Sequence, residues 1–227
     1  MSIFDQIGSQ AVSRHIEIRQ LIIADLVSGA FQPGARLKID ELASRYATGH
    51  MPVREALREL QGAGILEIGA GRSARVALMD RRFVENLFAT RSALEIMLTQ
   101  RAASRCRRDD IEALRAIEDR LEDQVGAGDY RGAFNANRDF HSAIYAIADN
   151  PEAVALVERN WTLLLALWER VGFAADRYAG VVSDHRSLLK ALTSNDTEAA
   201  GMIMGAHVVK AKFELIERVD RERSSAK

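Results

Sequence analysis

The sequence predicts a mostly α-helical protein in two parts. Residues 1–79 are expected to form a winged helix-turn-helix, and residues 80–227 an all-α bundle of about six or seven helices. Three observations carry this. Two of the three prolines, Pro33 and Pro52, fall in the first quarter, with Gly29, Gly34, Gly49, Gly62, Gly64, Gly69 and Gly71 close by. From residue 80 onward, long segments with helical spacing of apolar residues dominate. Within the first part, three short helical patterns precede two strand-like runs.

Composition sets the outer bounds. At 227 residues, 48% hydrophobic and 28% charged, the chain has ample core for one large or two smaller domains. Its formal net charge is −1, so a nucleic-acid surface has to come from local placement of charge. The single cysteine, Cys106, excludes an internal disulfide and a multi-cysteine zinc site. No apolar run approaches the roughly 18 residues of a membrane span. The opening MSIFDQIGSQ lacks the basic start and apolar core of a signal peptide. A cytoplasmic protein with no membrane partner is therefore expected.

In IEIRQLIIADLVSG, Ile18, Leu21, Ile22 and Leu26 share a helical face that stops at Gly29. FQPGARL reads as a turn centred on Pro33-Gly34. IDELASRYA starts a short helix, with Asp40 as its cap and Leu42, Ala43 and Tyr46 inward. In TGHMPVREALREL, Pro52 suits the first helical position, where no backbone N–H is needed. Val53, Ala56, Leu57 and Leu60 then form one stripe, and Arg54, Arg58 and Gln61 another. ILEI and ARVAL read as two strands joined by GAGRS, a hairpin tip that carries Arg72.

Packing the apolar stripe of the third helix on the first two leaves Arg54 and Arg58 facing outward. An exposed helix of about ten residues fits the major groove of double-stranded DNA. The alternative is a solvated face on which Arg54 and Arg58 pair with Glu55 and Glu59. RLKIDELASRYATGHMPVREALRELQGAGILE resembles the DNA-binding domain of the GntR family of bacterial transcription regulators, and the likeness covers residues 10 to 78. Where that family usually has Ser-Arg-Thr, this chain has Gly49-His50-Met51, and Ser73 stands where a glycine is common at the wing tip. His50 can donate a hydrogen bond but lacks the bidentate fork that suits guanine. The resemblance implies DNA contacts from Arg45, His50, Met51, Arg54, Arg58 and Arg72, while the departures at 49–51 leave the operator sequence open.

The second part divides into RRFVENLFATRSALEIMLTQRAA, DDIEALRAIEDRLEDQV, DYRGAFNANRDFHSAIYAIA, AVALVERNWTLLLALWER, GVVSDHRSLLKAL and TEAAGMIMGAHVVKAKFELIERV. Asn150-Pro151 and the turn TSND separate neighbouring helices. Three of the five histidines, His141, His185 and His207, fall inside these segments, and Asn137 lies one turn before His141. Three imidazoles and an oxygen donor suit zinc, nickel or manganese. Spacing alone equally admits three histidines that are merely hydrogen-bonded.

ATRSALE, NANRDFHSAIY, DNP, SDHRSLLKAL and NDTEAAGMIMGAHV occur in order. They resemble the helical FCD effector-binding domain of the FadR-type branch of GntR regulators, over about residues 83 to 217. That resemblance implies a divalent metal held by His141, His185 and His207, beneath a pocket for a small organic acid. Asn137 stands where an aspartate is usual, so one anionic ligand is missing. Arg91 occupies the place of a pocket arginine; an ion pair with Glu95 is the alternative. Trp161 and Trp168 are expected as core, and Cys106 among Arg105, Arg107 and Arg108 as the end of a helix and not an activated thiol.

The expected function is that of a DNA-binding transcription regulator, a repressor, whose helical domain dimerises and senses a small carboxylate. Two reading helices about one helical turn apart would read a pseudo-palindromic operator. Two alternatives stand beside it. One is a metal-dependent enzyme that uses the three histidines, against which no paired acid-base group is visible. The other is a DNA-binding dimer that takes no ligand.

Overall fold

In the computed structural model, residues 3–68, 74–173 and 175–225 are described. The chain divides into two compact units, Met1–Met79 and Asp80–Lys227.

The first unit runs α1 (Ile3–Val27), β1 (Arg36–Leu37), α2 (Ile39–Arg45), α3 (His50–Gly62), β2 (Leu66–Ile68) and β3 (Ala74–Val76). Gly29, at φ 76°, closes α1 with a turn that only glycine enters freely. Ile18 and Ile22 of α1, Leu42 of α2 and the α3 stripe of Val53, Ala56, Leu57 and Leu60 are all buried, with α3 packed against both α1 and α2. Each large member of that stripe contributes roughly 1.5–3 kcal/mol by leaving water. Leu21, expected on the inner face of α1, is 39% exposed. Tyr46 is half-buried, and its hydroxyl donates to Asp25 at 2.6 Å.

Three local expectations are corrected. Asp40 does not cap α2: the cap lies two residues earlier, at Lys38, with no side-chain cap bond. Asp40 instead sits in the first turn, where its charge faces the positive helix end. Pro52 is the third residue of α3, not the first, because the helix begins at His50. The change costs no hydrogen bond, since the first four N–H groups have no partner inside the helix. The third correction is an additional strand. Arg36 and Leu37, read as part of a turn, pair antiparallel with Arg75 and Ala74. The sheet order is therefore β1–β3–β2.

The second unit has six helices among the described residues: α4 (Arg81–Ala103), α5 (Arg108–Gly126), α6 (Tyr130–Ala148), α7 (Pro151–Val171), α8 (Ala175–Thr193) and α9 (Thr197–Ser225). Helix starts are set by side chains. Asp80 accepts from the backbone N–H of Phe83, Asp129 from that of Gly132, and Asn150 from that of Ala153, with Pro151 at the first position of α7. α4 packs along α9 and α6, and α5 packs along α6 and α8. Leu98, Leu121, Phe140, Ile144, Leu167 and Leu215 form a close-packed apolar interior. Into that interior the helices also carry a polar group: Arg91, Glu95, Glu118, Asn137, His141, His185 and His207 are all buried. No described helix is long and apolar enough to cross a membrane.

Candidate functional site

α3 presents two faces. Glu59 turns toward α1, where it meets His15 at 2.9 Å and Arg19 at 3.7 Å, and Glu55 lies 3.7 Å from the same histidine. The glutamates are thus held by α1. Arg54 and Arg58 are exposed, and among the described residues neither makes an ion pair. Met51, in the first turn, is 63% exposed. His50 lies beside Asp40, with Nε2 at 3.3 Å from the carboxylate. Arg45 is bound to Asp25 through two hydrogen bonds, of 2.6 and 2.9 Å, which fix α2 to α1 and direct its guanidinium there. Arg72 lies outside the described residues.

The second site is a cluster of imidazoles. His141 of α6, His185 of α8 and His207 of α9 each offer a ring nitrogen, and these atoms lie within 4.8 Å of one another. Behind each ring stands a carboxylate. Nδ1 of His141 lies 2.9 Å from Glu95, Nδ1 of His185 lies 2.7 Å from Glu118, and Nδ1 of His207 lies 3.3 Å from Asp184. An ionised carboxylate can only accept, so each Nδ1 carries the proton and each Nε2 keeps a lone pair. The Nε2 atoms of His141 and His207 are 3.3 Å apart. Nε2 of His185 is buried without a hydrogen-bond partner.

Burial is the main influence on His141 and His207. It holds His141 below the ordinary imidazole range and His207 down to about 3, against the opposing pull of Glu95 and Asp184. For Glu95, burial pushes upward, but Arg91, His141 and Tyr145 together outweigh it and hold the carboxyl at about 2. The inward lone pairs of His141 and His207 repel one another unless a cation sits between them. Carboxylate-backed imidazoles are the usual surroundings of a metal-binding histidine, so the donor set fits a divalent transition metal. Asn137, one turn before His141, is buried with its carbonyl oxygen unpartnered, and it lines the same cavity as His141 and His207.

The cavity wall also contains Arg91, Trp161, Trp168 and Arg177. Arg91 donates to Glu95 at 2.6 Å and lies over Trp161, 4.3 Å from the ring centroid. Ion pair and cavity wall, posed as alternatives for Arg91, are both realised: its third nitrogen is buried and unpartnered. Trp161 and Trp168 are buried and line the cavity as well. Arg177 lies over Trp168 at 4.5 Å and donates to Glu214 at 3.3 Å, and burial lowers its pKa. Arg177, Glu118 and Asp184 escaped the sequence reading. Asp184 directly precedes His185 in SDHRSLL, a local signal that an amphipathic pattern does not pick out. Cys106 lies just beyond α4, and burial foremost raises its thiol.

A winged helix-turn-helix joined to an all-helical unit that encloses a polar cavity defines a two-domain DNA-binding transcription regulator. Residues 15–76 match the model of the gntR family of bacterial regulatory proteins, and residues 86–210 match that of the FCD domain. The chain belongs to the GntR family of transcription regulators, in the branch that carries an FCD domain. It is 28% identical over 191 residues to the HTH-type transcriptional regulator McbR of Escherichia coli, covering 82% of this chain and 86% of that one. The HTH-type transcriptional repressor GlaR of the same organism is 28% identical over 199 residues, covering 82% and 88%. The probable D-xylose utilization operon transcriptional repressor of Paenarthrobacter nicotinovorans is 26% identical over 202 residues, covering 85% and 84%. The solved structure of E. coli McbR/YncC shares the fold, with a TM-score of 0.73 at 23% identity over 90% of this chain and 98% of that one. The family and the curated relatives are transcription regulators, which sets aside the metalloenzyme alternative.

Proposed function

We propose that the protein is a transcriptional repressor that acts as a homodimer on a pseudo-palindromic DNA operator and is released by a small carboxylate. Two of the relatives above are named repressors, which supports the sign. Its cytoplasmic location follows from the DNA partner. In the first unit the outer face of α3, with Arg54 and Arg58, enters the major groove, Met51 and His50 lie at its start, and Arg72 is added as a DNA contact on family likeness alone. Arg45 acts by a different route, bracing α2 on α1 through Asp25.

In the second unit His141, His185 and His207 would hold a divalent zinc, nickel or manganese ion, with Asn137 as a neutral oxygen donor. Such an ion supplies a Lewis-acidic position for a ligand carboxylate. Arg91 lines the same cavity, and its unpartnered nitrogen would receive the acid's second oxygen or another anionic group. Free space there is about 10 Å³, enough for a single water-sized group. An organic acid therefore has to move the wall, which is built from α4, α6, α7, α8 and α9. Such displacement gives the ligand its differential affinity for two arrangements, which regulation requires.

The observation that carries the sensing half is the convergence of three carboxylate-backed imidazoles. Native mass spectrometry of the purified protein, with elemental analysis, tests it: two subunits are expected, with one divalent ion per subunit. Three scattered zero-metal results, from protein purified in zinc-, nickel- and manganese-supplemented media, would refute the metal. Retained binding to the duplex upstream of the protein's own gene in folded Arg54→Ala and Arg58→Ala variants would refute the DNA face.

A further inference from the structure

We infer that Met51 is a sequence-reading residue that recognises the 5-methyl group of thymine, one per operator half-site. The inference rests on the proposed entry of α3 into the major groove. Its own support is the disposition of side chains around that helix. Val53, Ala56, Leu57 and Leu60 are buried and define the inner side. Met51, Arg54 and Arg58 follow one another at intervals of three and four residues on the opposite side. Met51 is 63% exposed, more than any other large apolar side chain among the described residues of the first unit.

The neighbours of Met51 limit what else could read bases from this first turn. His50 is drawn to Asp40 at 3.3 Å, on the α2 side of the helix. Gly49, which precedes it, has no side chain, and the space around its Cα is open. The deepest side chain at the start of α3 is thus apolar. In the major groove every base edge offers hydrogen-bonding groups, and the apolar feature among them is the thymine methyl. A thioether is flexible and polarisable, so it can settle against that methyl without a fixed geometry. Arg54 and Arg58, one and two turns further on, remain for phosphate or guanine.

The test uses the full-length protein and a duplex enriched by it from a random-sequence pool. Each thymine is replaced in turn by deoxyuridine, which removes the methyl and preserves base pairing. Burial of one methyl corresponds to about a fourfold change in affinity, so about a fourfold loss is expected at one symmetry-related thymine in each half-site. With Met51→Ala, that sensitivity should disappear while other positions respond as before. An unchanged deoxyuridine penalty in Met51→Ala, or no thymine position that responds in the parent protein, would overturn the inference. Arg54→Ala and Arg58→Ala run alongside: their wild-type binding would overturn the groove assignment itself. Their loss of binding combined with a flat deoxyuridine scan would overturn the role of Met51 alone.

Discussion

Each clustered imidazole is steered from behind by a carboxylate, so the metal reading makes its sharpest prediction away from the ligand atoms. Glu118 touches only the far nitrogen of its ring, at 2.7 Å from His185 Nδ1. Glu118→Gln keeps the size and can still accept from Nδ1 but removes the charge. Loss of such an orienting partner typically lowers metal affinity by about 10–100-fold, to be measured by competition with a chromogenic chelator. Unaltered affinity would show that the carboxylate only fills space. A second residue-scale prediction concerns acid. Asp25 is held below its ordinary value of 3.8, chiefly by the hydrogen bond from Arg45 and further by Tyr46, against the effect of burial. A lowered folded value means that stabilisation is present above pH 3.8 and is withdrawn as pH falls through the folded value. Melting of the first unit, followed between pH 2 and 6, should therefore weaken at the acid end, and Asp25→Asn should flatten that dependence.

At the scale of elements, α3 begins with a cap that can be improved. Gly49 has φ −78°, no side-chain cap bond and no atom near the position a Cβ would take. Gly49→Ser supplies the missing acceptor and should stabilise the first unit by a few tenths of a kcal/mol, read as a shift in urea midpoint. A neutral or negative shift would mean that DNA-facing geometry, and not capping, governs this position. The same helix shows why parts of the fold were legible in sequence. Its buried stripe and its exposed arginines follow from 3.6-residue spacing, which any amphipathic helix displays. β1 was not legible, because two residues set no alternation and their pairing depends on β3, far along the chain. The three histidines could be named from their place in helices and from family likeness. Their partners could not: Glu95 is 46 residues from His141 and Glu118 is 67 from His185, and no local pattern links such pairs.

At the scale of the molecule, the two compact units carry separate chemistry, and a perturbation of one should leave the other's unfolding in place. A strong chelator is expected to lower the melting temperature of the helical unit and not that of the first, with the loss reversed by adding back the ion. Equal displacement of both transitions, or of neither, would count against a resident metal there. The polar cluster has one more consequence. Its members come from α4, α5, α6, α8 and α9, five of the six helices of this unit among the described residues. An interior of leucines alone would tolerate helices slipped by a turn, since one apolar contact substitutes for another. Here a slipped helix would strand Glu95 or Glu118 in a dry interior, a penalty of about 3–5 kcal/mol for each uncompensated charge. The same buried polar side chains thus proofread how the bundle is assembled.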